Sequence, residues 1–90
     1  MGVVGLQFSS NNEPYVEVTE SEGEVVLAAE FPGVESHELA IKVSPKQVKL
    51  EVQQAGTVVY HAMFQTPKVK PEESQITFRN GVLEIRTPRA

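Results

Sequence analysis

Two histidines, His37 and His61, are the side chains of this sequence best suited to catalysis. The chain has no cysteine, so a thiolate nucleophile is excluded. A catalytic triad would have to combine one histidine with a glutamate and a serine. No serine stands in a Gly-x-Ser-x-Gly turn, which exposes the nucleophile of α/β-hydrolases. We therefore expect both histidines to be surface or boundary residues, and we expect the protein not to be an enzyme.

One cluster, Glu35, His37 and Glu38, contains the residue types that bind Zn²⁺. No further histidine is placed to complete a site, so a solvated polar loop is the simpler interpretation. Glu72 and Glu73 also lie side by side, but a glycosidase needs a shaped pocket, for which 90 residues leave little room. Since a Gly-rich phosphate loop is also missing, the sequence predicts no metal and no cofactor.

The charge of the chain limits its partners. The net charge is −4 and the eight Lys and Arg residues are scattered, whereas nucleic-acid binding needs a basic stripe. No apolar run approaches the ~20 residues that span a bilayer. Residues 1–8 are apolar but lack the positive region of a signal peptide. We therefore expect no nucleic acid and no membrane as partner, and a cytoplasmic location.

Alternation of apolar and polar residues dominates the sequence and predicts strands. Seven short runs show it at a spacing of roughly ten residues, which is typical of an antiparallel sandwich or a small barrel. The predicted strands are 15–20, 24–31, 39–43, 48–53, 57–65, 75–79 and 82–86. We assign residues 14–90 to one domain, preceded by residues 1–13 as a mobile arm or one more edge strand.

The turns between these runs are also readable. Asn80-Gly81 joins two alternating runs, and this dipeptide favours a type I′ hairpin because both central residues need a positive φ. Ala55-Gly56 and residues 21–23 mark two further short turns.

The longest predicted strand, 57–65, is apolar on both faces. The residues of one face are Val59, His61 and Met63, and those of the other are Val58, Tyr60, Ala62 and Phe64. One face should be core, and the other is a candidate contact surface for a partner sheet or a bound protein. Alternatively, the strand is central and its own domain covers both faces.

A second candidate surface comes from the runs 39–43 and 75–79, whose apolar residues we expect to point inward. If these strands lie at opposing sheet edges, their apolar side chains flank a groove to which an extended peptide can add. The alternative is that these residues are simply core. The five residues are Leu39, Ile41, Val43, Ile76 and Phe78.

The order of these motifs resembles the small heat-shock protein, or α-crystallin, domain family over residues 14–88. The resemblance rests on Pro14-Tyr15-Val16-Glu17-Val18, on the Phe31-Pro32-Gly33-Val34 junction, and on Phe78-Arg79-Asn80-Gly81-Val82-Leu83-Glu84-Ile85. Tyr60 and Phe64 ahead of Pro67 are similar to a further strand of that family. The resemblance implies an all-β, immunoglobulin-like two-sheet antiparallel sandwich. It also implies an ATP-independent chaperone whose partners are unfolding client proteins.

The sequence departs from the family pattern at several points. Ile76 stands where the family usually has Ala, and Ala62 where many members have Arg. The connection 53–57 is too short for the strand that many members exchange between protomers, and residues up to Ala90 contain no Ile-x-Ile tail. We therefore expect a monomer or a small homo-oligomer. This minimal form is also similar to CS-domain co-chaperones and to crystallin-like domains associated with arsenite-pump-type ATPases, which implies an alternative role as an adaptor that docks a folded chaperone or ATPase.

Overall fold

Seven antiparallel strands in two sheets form the part of the chain that the computed structural model describes, residues 14–90. The predicted arm, residues 1–13, lies outside the described residues. The strands are β1 (Tyr15–Glu20), β2 (Glu24–Glu30), β3 (Leu39–Ser44), β4 (Gln47–Gln54), β5 (Thr57–Gln65), β6 (Gln75–Arg79) and β7 (Val82–Pro88). Two short 3-10 turns, Ser36–Glu38 and Pro71–Glu73, are the helical segments among these residues. Within this described part, no helix has the length and apolar character needed to cross a membrane.

The strand order confirms the predicted two-sheet sandwich. The four-stranded sheet has the order β1-β2-β7-β6, and the three-stranded sheet has the order β3-β4-β5. Four strands are therefore sheet edges among the described residues: β1 and β6 in one sheet, and β3 and β5 in the other.

The core lies between the two sheets and follows the alternation of the sequence. Because successive side chains of a strand point to opposite faces, the apolar residues at every second position of β1, β2, β4 and β7 are buried. Full burial of one such aliphatic or aromatic side chain contributes roughly 1.5–3 kcal/mol. The buried apolar residues are Val16, Val18, Val25, Leu27, Ala29, Phe31, Val48, Leu50, Val52, Tyr60, Ala62, Phe64, Val69, Leu83 and Ile85.

Two contacts show how the sheets are stacked. The ring of Phe31, which directly follows β2, meets the ring of Tyr60 in β5 edge to face, with centroids 5.4 Å apart. Val48 of β4 lines one small cavity together with Leu27 of β2 and Ile85 of β7. Since β5 lies over the β2 side and β4 over β2 and β7, β3 must lie on the β6 side. The two edges β3 and β6 therefore share one side of the sandwich.

The hairpin between β6 and β7 confirms the predicted type I′ turn. Arg79 pairs with Val82, and the two residues between them, Asn80 and Gly81, have φ values of 53° and 78°. Gly81 is buried, and its carbonyl oxygen accepts a hydrogen bond of 2.7 Å from the backbone N–H of Phe31. A Cβ atom at position 81 would stand 3.0 Å from the carbonyl oxygen of Phe31. Only glycine fits position 81 without displacing the backbone of Phe31.

The hairpin between β4 and β5 has the same two-residue form. Gln54 pairs with Thr57, and Ala55 and Gly56 have φ values of 54° and 77°. The alanine at the first turn position is unusual, because its Cβ atom disfavours the left-handed region that asparagine tolerates. This turn is exposed, and a Cβ atom at Gly56 would meet nothing within 4 Å.

Candidate functional site

The edge strand β3 carries three apolar side chains that are only half covered. Leu39, Ile41 and Val43 pack against the core and are neither fully buried nor fully exposed. Their cross-strand partners on β4 are Val52, Leu50 and Val48, all buried. Lys42 points outward and is exposed, as predicted. The three residues face inward as expected, yet they leave part of their apolar surface open because β3 has a neighbour on one side only.

A short 3-10 turn sets the position of β3. The carboxylate of Glu38 accepts hydrogen bonds from the backbone N–H of Glu35 at 2.9 Å and from Gln54 Nε2 at 3.2 Å. The bond from Glu35, followed by that from Gln54, lowers the pKa of the Glu38 carboxyl below its ordinary value. Glu38 thus ties the start of β3 to the end of β4.

Within residues 14–90, no group of three or more His, Cys, Asp or Glu side chains is arranged so that it could hold a metal ion.

The edge strand β6 presents the other two residues of the second candidate surface. Phe78 is half-buried and packs against the core, whereas Ile76 on the same face is 46% exposed. Ile76 thus lies on the inward face, as expected, but the alternative that it is simply a core residue is wrong. Ile76 pairs with the buried Ile85 of β7, but β6 ends the sheet, so its side chain extends past the covered core.

We call the surface formed by Leu39, Ile41, Val43, Ile76 and Phe78 the β3–β6 groove. These residues lie on two sheet edges that share one side of the sandwich. Four of them pack against the core, so the interpretation as core residues holds in part, but they also remain partly open. A sheet edge offers unpaired backbone N–H and C=O groups. The arrangement can therefore accept an extended apolar peptide by strand addition.

The second apolar surface lies on β5. Val59 is 55% exposed and Met63 is 48% exposed, and His61 between them is exposed as well. The inward residues of this strand are Tyr60, Ala62 and Phe64. The alternative that β5 is a central strand covered on both faces was wrong, because β5 is the edge of the three-stranded sheet.

Val58 belongs to this exposed surface too, although the alternation placed it on the same face as Tyr60. The register shifts between Val52, which pairs with Tyr60, and Gln53, which pairs with Val58. This β-bulge turns Val58 outward, where it is 48% exposed. A bulge depends on pairing with the neighbouring strand, so periodicity within 57–65 gives no signal for it.

The two histidines lie on different elements. His37 is in the 3-10 turn before β3, and His61 is on the outer face of β5. Both are exposed, as expected. His61 lies opposite Glu51 of β4. His37 directly precedes Glu38, whose side chain caps the 3-10 turn.

The fold is that of the small heat-shock proteins, as the resemblance implied. Heat shock protein 16.0 from Schizosaccharomyces pombe is 17% identical and superposes with a TM-score of 0.74 over 86% of each chain. A small heat-shock protein from Xylella fastidiosa is 19% identical, with a TM-score of 0.70 over 87% of each chain. HspA from Xanthomonas axonopodis is 23% identical, with a TM-score of 0.68 over 84% of this chain and 92% of that one.

The comparisons of sequence, unlike those of structure, found no match. No protein-family model matches the chain, and no curated protein matches it at a significant level.

Proposed function

We propose that this protein is an ATP-independent chaperone of the small heat-shock type, which binds unfolding proteins through the β3–β6 groove. The observation that supports this most is that two sheet edges with partly open apolar side chains share one side of the sandwich. An unfolding client exposes apolar segments in extended conformation, and such a segment can pair with an edge while its alternate side chains enter the groove.

The energetics favour weak and reversible binding at each groove. Burial of one fully exposed aliphatic side chain contributes roughly 1.5–3 kcal/mol, and each edge hydrogen bond adds about 0.5–1.5 kcal/mol. Ile76 is half exposed and the other groove residues less so, so only part of that burial is available. Ordering a flexible client segment offsets part of the gain. The client is therefore held while it is unfolded and released when it buries the same residues itself.

This mode of action needs no nucleotide, because binding and release follow the client's own exposure of apolar surface. We also propose the cytoplasm as its location. The chain contains no cysteine, so its fold is independent of the redox state of the compartment.

The test is light scattering of a heat-aggregating client with an equimolar amount of this chain and without ATP. We expect the wild-type chain to suppress the scattering. Ile76→Lys should lose most of this suppression, because a charge enters the groove. Thr77→Lys is the matched control: it lies on the same strand, is exposed, and points to the opposite face, where Glu84 is its cross-strand neighbour. It should protect the client as well as the wild type does.

Two results would contradict the proposal. Equal loss of protection in both lysine variants would remove the groove as the binding surface. No suppression by the wild-type chain would favour the adaptor role, in which one folded chaperone or ATPase is the partner.

A further inference from the structure

The charges of this chain are divided unevenly along the sequence. All five lysines lie within residues 42–70, where Glu51 is the one acid. The other eleven glutamates lie outside that stretch, together with the three arginines. Strands β4 and β5 and most of β3 belong to the stretch, so the three-stranded sheet is the basic side of the sandwich.

Two of these lysines face each other on the outer surface of the three-stranded sheet. Lys42 of β3 pairs with Lys49 of β4, and the third residue of this row is Met63 of β5. Lys42 is exposed and Lys49 is half-buried. Like charges directly opposite each other destabilise a sheet. The row therefore holds two ammonium groups side by side at some cost in stability.

Within residues 14–90, no carboxylate forms an ion pair with either lysine. Glu51 lies two positions from Lys49 on the same face, but its carboxylate accepts a hydrogen bond of 2.9 Å from Gln53 Nε2. The ion pairs of the described residues join one arginine of β7 to glutamates of the other sheet. The positive charge of the Lys42 row is thus left for a bound partner to meet.

A strand that adds to the free edge of β3 places one of its residues directly opposite Lys42. Strand β3 has a neighbour on one side only, and side chains alternate between the two faces of a strand. The residues of the added strand opposite Ile41 and Val43 enter the β3–β6 groove. The residue between them lies on the outer face and extends the row of Lys42, Lys49 and Met63 by one position.

We propose that the β3–β6 groove selects client segments in which an acidic residue stands between two apolar residues. This inference rests on the proposed chaperone function and names the class of segment that the groove prefers. The two apolar side chains contact the groove, while the carboxylate lies opposite Lys42 and reduces its repulsion with Lys49. A basic residue at the same position adds a third cation to the row and is disfavoured.

Three labelled peptides that differ at one position test this selection. Each is an otherwise uncharged peptide with a Val-Glu-Val, Val-Gln-Val or Val-Lys-Val core, and fluorescence anisotropy measures its dissociation constant for the full 90-residue chain. At about 10 mM salt, where screening is weak, the Glu peptide should bind about three to five times more tightly than the Gln peptide, as expected for an exposed ion pair. The Lys peptide should bind more weakly than the Gln peptide. At about 0.5 M salt the three constants should converge.

Reversal of the charge at position 42 separates local recognition from an effect of net charge. Lys42→Glu should reverse the order, so that the Val-Lys-Val peptide binds best. This variant should fold, because a glutamate opposite Lys49 replaces a like-charge pair by an opposite-charge pair. Lys70→Glu is the matched control with the same change in net charge. Lys70 is exposed, and its backbone N–H donates to the carbonyl oxygen of Pro88 in the other sheet at 2.9 Å. This control should keep the order of the wild type.

The outcomes distinguish the charge selection from the groove itself. Equal affinity of the wild type for the three peptides at low salt would overturn the charge selection, and so would an unchanged order in Lys42→Glu. The groove is tested separately by Ile76→Lys, which should weaken binding of the uncharged Gln peptide about tenfold or more. Unchanged binding of that peptide, or binding of none of the three by the wild type, would contradict the proposed function and the charge selection with it.

Discussion

Strands β5 and β6 are edges of opposite sheets, and each is joined to its neighbour by a two-residue turn with two positive φ values. The turns are anchored differently. The Asn80-Gly81 turn of β6 is tied to Phe31 by a hydrogen bond and by close backbone approach. The Ala55-Gly56 turn of β5 is exposed, and β5 is held by its long pairing with β4.

The difference shows that one turn geometry can serve two structural purposes. At β6, a strand of five residues, the turn fixes an edge that carries the exposed Ile76 of the groove. At β5, a strand of nine residues, the backbone pairing with β4 fixes the strand, and the turn only connects the two strands. We therefore expect β6 to depend on its turn far more than β5 does.

The largest effect that would sharpen this comparison is expected from Gly81→Ala. The new Cβ atom meets the carbonyl of Phe31 and also stands in a left-handed backbone, so the free energy of unfolding should fall by about 3 kcal/mol. Gly56→Ala has the same backbone strain in open space and should cost about 1–2 kcal/mol. Urea denaturation of both variants measures the difference, and equal losses would mean that the contact with Phe31 contributes nothing.

A smaller effect of opposite sign is expected from Ala55→Asn. Asparagine tolerates the left-handed region better than alanine, so this change should raise the free energy of unfolding by about 0.5–1 kcal/mol. The reverse change in the other turn, Asn80→Ala, should lower it by a similar amount. Both changes in the free energy of unfolding are measured from the shift of the urea denaturation midpoint at constant m-value. A loss of stability in Ala55→Asn would contradict this account. It would show that the alanine side chain makes a stabilising contact that outweighs its backbone strain.

Local patterns in the sequence predicted a large part of this fold. Alternation predicted all seven strands, because a period of two residues is a property of the strand itself. Asn80-Gly81 identified its turn for the same reason, since the φ requirement is local. The Phe31-Pro32-Gly33-Val34 junction and the closing hairpin led to the fold that the structural comparisons bear out.

The features that the sequence did not reveal depend on neighbouring strands. Ile76 is exposed because β6 ends a sheet, and strand order is not encoded in the alternation of 75–79. Val58 is exposed because the pairing with β4 shifts by one residue. The contact between Gly81 and Phe31 joins residues 50 positions apart. From the sequence, the groove could be proposed only on the condition that the strands 39–43 and 75–79 lie at sheet edges, because its two walls come from different sheets.

The most direct test of the central claim compares the two exposed edges in contact with a client. A photo-cross-linking amino acid is placed either at Ile76 in the groove or at Met63 on β5, and each variant is illuminated with a client while it unfolds. The account predicts that position 76 captures the client and that position 63 captures much less of it. Client capture at position 63 that equals or exceeds capture at position 76 would contradict it.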